Sequence, residues 1–183
     1  MKKIALTFLA MVLYTVSFAQ KTLPEIKVGT TFNCSAFVQG QEFPLTLSVK
    51  SMAGPVSIGW VVDGYGEGTF EMTSNALENA KTMLLVTQPE TGATKLSDDE
   101  TFGIISKSAF KSLTEKQEFT YSGINFKLKS PATAFKIGAN EVDASHVVSA
   151  DGKFEFWILN NPNFPFVLQS AGMPTDITVA EIK

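Results

Sequence analysis

Residues 141–169 read EVDASHVVSADGKFEFWILNNPNFPFVLQ, and the fold is decided in the middle of that stretch. Asp151-Gly152 is a tight-turn dipeptide, because a primed two-residue turn needs positive φ and Asp-Gly adopts it at low cost. Folding the chain there pairs Ser149 with Phe154, Val147 with Phe156 and Ser145 with Ile158 on one face. The other face pairs Ala150 with Lys153, Val148 with Glu155 and His146 with Trp157, since side chains alternate at period two. The first face reads as core. The second is mixed and reads as partly open. Downstream, Pro162 and Pro165 interrupt pairing before Phe166-Val167-Leu168 begins another strand, and the corner between them is expected to pack Phe164 or Phe166 into the core.

The same alternation recurs on both sides of this hairpin. Ser122-Gly123 predicts a second tight turn, pairing Tyr121 with Ile124 and Phe119 with Phe126 on an apolar face, and Glu118 with Lys127 on a solvated one. Thr30–Val38, Phe43–Val49 and Val56–Val62 read as strands, with Pro44 suggesting an edge for the second. The glycine-rich run Asp63–Gly68 reads as a long hairpin turn. No helix follows it to present backbone N–H groups to a phosphate, and Thr69–Thr73 reads as a strand. A short helix is expected from Ser74-Asn75 to Ala80, with Glu78 closing a capping box on Asn75. A second is expected after Ser106, running to Lys116 with Ala109, Phe110 and Leu113 on its apolar stripe. Met83–Val86 reads as a short buried strand, 88–100 as a loop, and Phe102–Ile105, Ala134–Ile137 and Ile177–Ile182 as further strands. The sum is one mainly β, antiparallel domain over residues 20–183. It forms a strongly curved sheet or incomplete barrel of about ten strands with two short helices, the second packed on the sheet or plugging it. A two-sheet β-sandwich is the alternative.

Composition narrows the functions. Lys2 and Lys3, the apolar run Ile4–Val16 and Ser17-Phe18-Ala19 have the layout of a cleaved export signal over residues 1–19, resembling those of Gram-negative bacteria. The expected location is therefore periplasmic or extracellular, with no transmembrane segment after cleavage. Without its first 19 residues the chain keeps 13 Lys against 18 acidic residues, a net charge of −5, and it contains no Arg. Bidentate recognition of phosphate or guanine is absent from such a chain, and an acidic surface repels nucleic acid. The single Cys34 forms no internal disulfide, and its alternation with Phe32 and Ala36 makes it a buried small hydrophobe.

Residues that could carry chemistry are present without the constellations that chemistry requires. A hydrolytic triad needs His beside Ser, and the one histidine, His146, stands on a strand opposite Trp157, where it either packs on the indole as an ordinary cross-strand pair or floors an open groove with it. Ser108-Ala109-Phe110-Lys111 matches the Ser-x-x-Lys of serine acylases without their companion motifs. Asp98-Asp99-Glu100 reads as a solvated loop tip rather than a metal site. Asp63, Glu67, Glu71, Asp143 and Glu155 could serve glycoside hydrolysis, but spacing pairs none of them. No cofactor and no metal are expected.

Many short strands, one interrupting helix and a closing pair of the type Phe156-Trp157-Ile158-Leu159 then Phe164-Pro165-Phe166-Val167-Leu168 resemble exported bacterial proteins with an unclosed β-barrel, of the periplasmic lipoprotein-carrier type. The resemblance covers the C-terminal third and implies an apolar concavity for acyl chains. The arginine on which those carriers rely for gating has no counterpart here. Two readings follow. One is a non-catalytic binding or carrier module for an apolar small molecule, a lipid or a protein partner, with His146, Trp157 and Phe164 bordering its ligand. The other is a structural or interaction protein of the cell surface or a secreted assembly, with a filled core and an exposed apolar patch or sheet edge. A hydrolase of unknown class ranks third.

Overall fold

The computed structural model describes residues 21–183; the export signal read at 1–19 lies outside them. Strands β1 (Thr31–Val38), β2 (Gln41–Ser51), β3 (Val56–Val62) and β4 (Gly66–Met72) form an antiparallel meander. Gln39 and Gly40 have φ of 51° and 80° and join β1 to β2 in two residues. Helix α1 (Ser74–Asn79) follows, and then three short strands, β5 (Thr82–Met83), β6 (Gly92–Lys95) and β7 (Glu100–Thr101). Helix α2 (Lys107–Lys116) leads into the hairpin β8 (Glu118–Tyr121) and β9 (Ile124–Leu128), and β10 (Phe135–Ile137) pairs with β11 (Asn140–Val142). The chain ends in β12 (Ala144–Ser149), β13 (Glu155–Leu159), β14 (Val167–Ala171) and β15 (Thr175–Ile182).

Eleven strands join into one sheet in the order β6-β4-β3-β2-β1-β15-β14-β13-β12-β9-β8. Its terminal strands β6 and β8 do not pair with each other, so the sheet curves without closing. Among the described residues the other two sheets have two strands each, which fits the curved sheet or incomplete barrel rather than the two-sheet sandwich. The seam between the two halves of the chain is β1 against β15, from Phe32 opposite Ile182 to Val38 opposite Thr175.

The organising hairpin has the expected register, with His146 opposite Trp157 and Val147 opposite Phe156. Its turn differs. Only Gly152 has positive φ, 74°. The Ser149 N–H donates to the Phe154 carbonyl across a four-residue loop, and the Gly152 N–H donates to the Ser149 carbonyl. Ser149 Oγ donating to Asp151 Oδ1 at 2.6 Å fixes Asp151 without positive φ, so the turn is not of the primed type. At Ser122-Gly123 both residues are left-handed, φ 51° and 74°, and every expected pair from Glu118–Lys127 to Tyr121–Ile124 forms.

Other corrections have simple physical causes. The sheet is mixed, because β6 runs parallel to β4; its sequence Gly-Ala-Thr-Lys has no apolar alternation, so backbone bonding alone makes it a strand. β2 is interior rather than an edge, yet Pro44 lies just beyond Leu45, where the β3 pairing begins, and deprives no partner of a donor. Helix α1 is capped by Thr73, whose Oγ1 accepts from the Ala76 N–H, while Asn75 lies inside the helix and Glu78 pairs with Lys107 rather than closing a capping box. Leu84–Val86 is not a strand and Leu85 is exposed. Phe102–Ile105 makes only a bridge, Ile104 to Phe166. Helix α2 is capped by Ser106 and buries Ala109, Phe110 and Leu113, as its stripe predicts.

Both faces of β13 are buried. Phe156 and Ile158 pack with Phe110 and Leu113 of α2, whereas Trp157 and Leu159 join the cluster that includes Phe135 and Val142 near β10–β11. The corner 160–165 is tied down as expected. Asn160 Nδ2 donates to Asp143 Oδ1, Ser145 Oγ donates to Asn160 Oδ1, and Phe164 and Phe166 are both buried, Phe166 stacked on Phe32 at 4.1 Å. Phe156, stacked on Phe126 at 4.8 Å, belongs to the buried cluster that joins the sheet to α2. Phe156→Ala is expected to cost on the order of 3–5 kcal/mol in urea unfolding, the range for truncating a buried aromatic; a loss under about 1 kcal/mol would show that the α2 interface does not hold the fold.

Candidate functional site

A cavity of about 790 Å³ opens on the concave side of the sheet. Its walls come from alternate positions of adjacent strands: Ala36 and Val38 on β1, Phe43 and Leu45 on β2, Trp60 and Val62 on β3, Phe70 on β4, and Thr175 and Ile177 on β15. Register explains the grouping, since Ala36 stands opposite both Phe43 and Ile177, and Leu45 opposite Val62. A narrower space of about 60 Å³ adjoins it, sharing Leu45, Phe102 and Ile177 and reaching Phe156 and Val167. Those last two also pack against α2. The helix therefore lies on the same side of the sheet as the cavity and fills the half that the cavity leaves.

The fourth wall is a strap without regular structure, residues 84–89. Val86 lines both spaces. Two hydrogen bonds pin the strap across the concavity: Thr175 Oγ1 donates to the Val86 carbonyl at 3.1 Å, and the Tyr65 hydroxyl donates to the Pro89 carbonyl at 3.0 Å. Phe102 closes the floor against Phe70, ring centroids 4.2 Å apart. At the base of the turn between β3 and β4, Gly68 faces Trp60. A Cβ there would meet the Gly92 carbonyl oxygen at 2.5 Å and Trp60 Nε1 at 2.8 Å, so only glycine lets the indole and β6 approach together. At the mouth, Phe43 and Tyr65 are among the exposed large hydrophobic residues. Gln39, Gln41, Asp63, Thr87 and Gln88 form its polar rim.

The residues read as site candidates from sequence lie elsewhere. His146 and Trp157 do come together, stacked with centroids 3.9 Å apart. They line neither cavity, because alternation sends Trp157 to the side opposite Phe156, and their face is covered instead. The Thr133 N–H donates to His146 Nδ1 at 3.0 Å and Trp157 Nε1 donates to the Thr133 carbonyl at 2.9 Å. His146 Nε2 then carries the proton and bonds Glu155 Oε2 at 2.7 Å, with Lys129 Nζ on the same carboxylate. The imidazole is 1% exposed with both nitrogens engaged, a structural arrangement rather than a reactive one. Phe164 is buried beside Phe166 and is not a cavity wall.

Ser108, Lys111 and Asp98 are also occupied. Lys111 pairs with Glu115 while Ser108 Oγ bonds Ser106 Oγ. Asp98 accepts from Thr73 Oγ1, and among the described residues no His/Cys/Asp/Glu cluster could hold a metal. Cys34 is buried and burial pushes its thiol up to about 12, which removes the reactive thiolate. Among the described residues no helix is long and apolar enough to cross a membrane. Sequence reasoning missed the cavity walls. Their signal was the shared apolar face of 43–49 and 56–62, which distinguishes inside from outside but not filled from empty.

The chain matches no known protein-family model and no curated protein.

Burial lowers the His146 pKa below its ordinary 6.5, with the Glu155 hydrogen bond pulling partly the other way. The unfolded chain then takes up a proton at a higher pH than the folded one, so stability is full above 6.5 and falls as pH drops from there toward the lowered value. With one histidine in the chain, urea midpoints measured between pH 7.5 and 6 should fall on acidification in the native protein and stay nearly level in His146→Gln. Equal slopes in the two proteins would contradict this assignment.

Proposed function

We propose that the protein is a non-catalytic binding or carrier module for an apolar ligand, exported to the periplasm or beyond. The observation that carries the reading is the cavity of about 790 Å³ in a sheet whose other half is filled by α2. That volume lies within the roughly 300–1,000 Å³ range of small-molecule sites. Its walls are mostly aliphatic and aromatic, with Thr175 and the buried, unpartnered Nε1 of Trp60 the polar groups among them and the others at the rim, which suits a ligand that buries hydrocarbon and leaves a polar end at the mouth. A structural protein of a surface assembly has no use for such a space, and the same sheet could have closed on larger side chains. The unclosed, helix-filled sheet also agrees with the kind of exported carrier that the C-terminal strands resemble, without the arginine on which gating relies there.

The test is to fill the space. Ala36 is small, buried and flanked by Phe43 and Ile177 on the cavity wall, so Ala36→Phe places a ring where there is room. The expected result is a loss of tenfold or more in affinity for an environment-sensitive apolar dye such as N-phenylnaphthylamine, with a thermal midpoint equal to or above that of the native chain. Undiminished dye binding in Ala36→Phe, or no dye binding by the native chain, would overturn the reading.

A further inference from the structure

Charge around the cavity narrows the ligand. The residues that line it fall within 36–45, 60–70, 86–89, 102 and 175–177, and no lysine occurs in any of these segments of a chain that has no arginine. The one charged side chain on the rim is Asp63. Glu90, next in sequence to the lining Pro89, is exposed, and among the described residues neither it nor Asp63 has an ion-pair partner within 4.0 Å. The ion pairs lie elsewhere on the surface: Lys127 with Glu118, Lys129 with Glu155, Lys107 with Glu78. Cations are thus placed away from the mouth. What the rim offers in their stead are the amides of Gln39, Gln41 and Gln88 and the hydroxyl of Thr87, all exposed and all able to bond an uncharged head.

Resting on the binding role above, we propose that the ligand is a lipid whose polar head is uncharged, a hydroxyl, ester or amide, and that Asp63 and Glu90 act as a filter against anionic amphiphiles. A carboxylate or phosphate at this mouth would meet like charge and find no cation to neutralise it. The repulsion acts at the edge of an apolar space, where screening by water is weaker than on an open surface. An uncharged head loses nothing to that field and keeps its hydrogen bonds to the rim amides.

The probes are dodecanol, dodecylamine and dodecanoate, which share one chain, competing for the dye at pH 8 and low ionic strength with the full-length protein. Dodecanol should displace the dye at least tenfold more effectively than dodecanoate, with dodecylamine no weaker than dodecanoate. The gap should narrow in 0.5 M salt, and the variant Asp63→Lys with Glu90→Lys should close it by improving dodecanoate. Both substitutions are at exposed positions, so folding is retained. Equal displacement by alcohol and carboxylate in the native chain, or a gap unchanged in the double variant, overturns the charge filter while leaving the binding role intact. If the dye binds and no probe displaces it, the head-group inference fails and the cavity takes another chemistry; if the dye does not bind, the binding role itself fails first.

Discussion

The structure depends on the antiparallel seam between β1 and β15. Seven Cα pairs, with a bulge between Asn33 and Cys34, join strands separated by almost the whole chain, and the Thr31 and Lys183 backbones close its end with reciprocal bonds. Each half of the chain could form a meander from local turns alone. Only the seam makes one sheet of them, and only a continuous twisted sheet curves enough to enclose space. The cavity is built across it: Ala36 and Val38 face it from one side, Thr175 and Ile177 from the other.

Beyond the seam, the two faces are treated differently. On the concave side α2 fills one half with Phe110 and Leu113, and the strap 84–89 roofs the other half without filling it. On the opposite side Thr133 covers Trp157 and His146 through backbone hydrogen bonds, Phe135 and Val142 of β10–β11 share an apolar cluster with Trp157, and Thr22 adds a bridge to Val142. Strands buried on both faces explain why so many large aromatic residues are needed in a chain without a disulfide.

Local signals were legible in the sequence and non-local ones were not. The register at Ser122-Gly123 follows from turn chemistry and period two, that at Asp151-Gly152 from the alternation on either side of a turn whose type differs, and the extent of α2 from Ser106 as its cap and its apolar stripe. The parallel strand β6 carries no pattern, because its pairing uses backbone groups and its side chains stay mostly exposed. The seam is equally silent, since pairing over such a separation depends on the whole sheet. His146 and Trp157 were rightly placed opposite each other, and of their two readings, an ordinary cross-strand stack and the floor of a ligand groove, the structure has the stack. Alternation says which residues share a face, not what covers it. The cavity was missed for the same reason, as Phe43, Leu45, Trp60 and Val62 look in sequence like any other half-buried strand face.

An apolar space held open by backbone ladders, with an acidic mouth and no reactive group inside, is the central claim. Native mass spectrometry of the protein purified from its own cells tests it most directly. The account predicts a second species heavier than the polypeptide by a lipid-sized mass, released as an uncharged, solvent-extractable molecule, and absent from Ala36→Phe. A protein that flies only at its polypeptide mass, or a retained mass unaffected by filling the cavity, would contradict it.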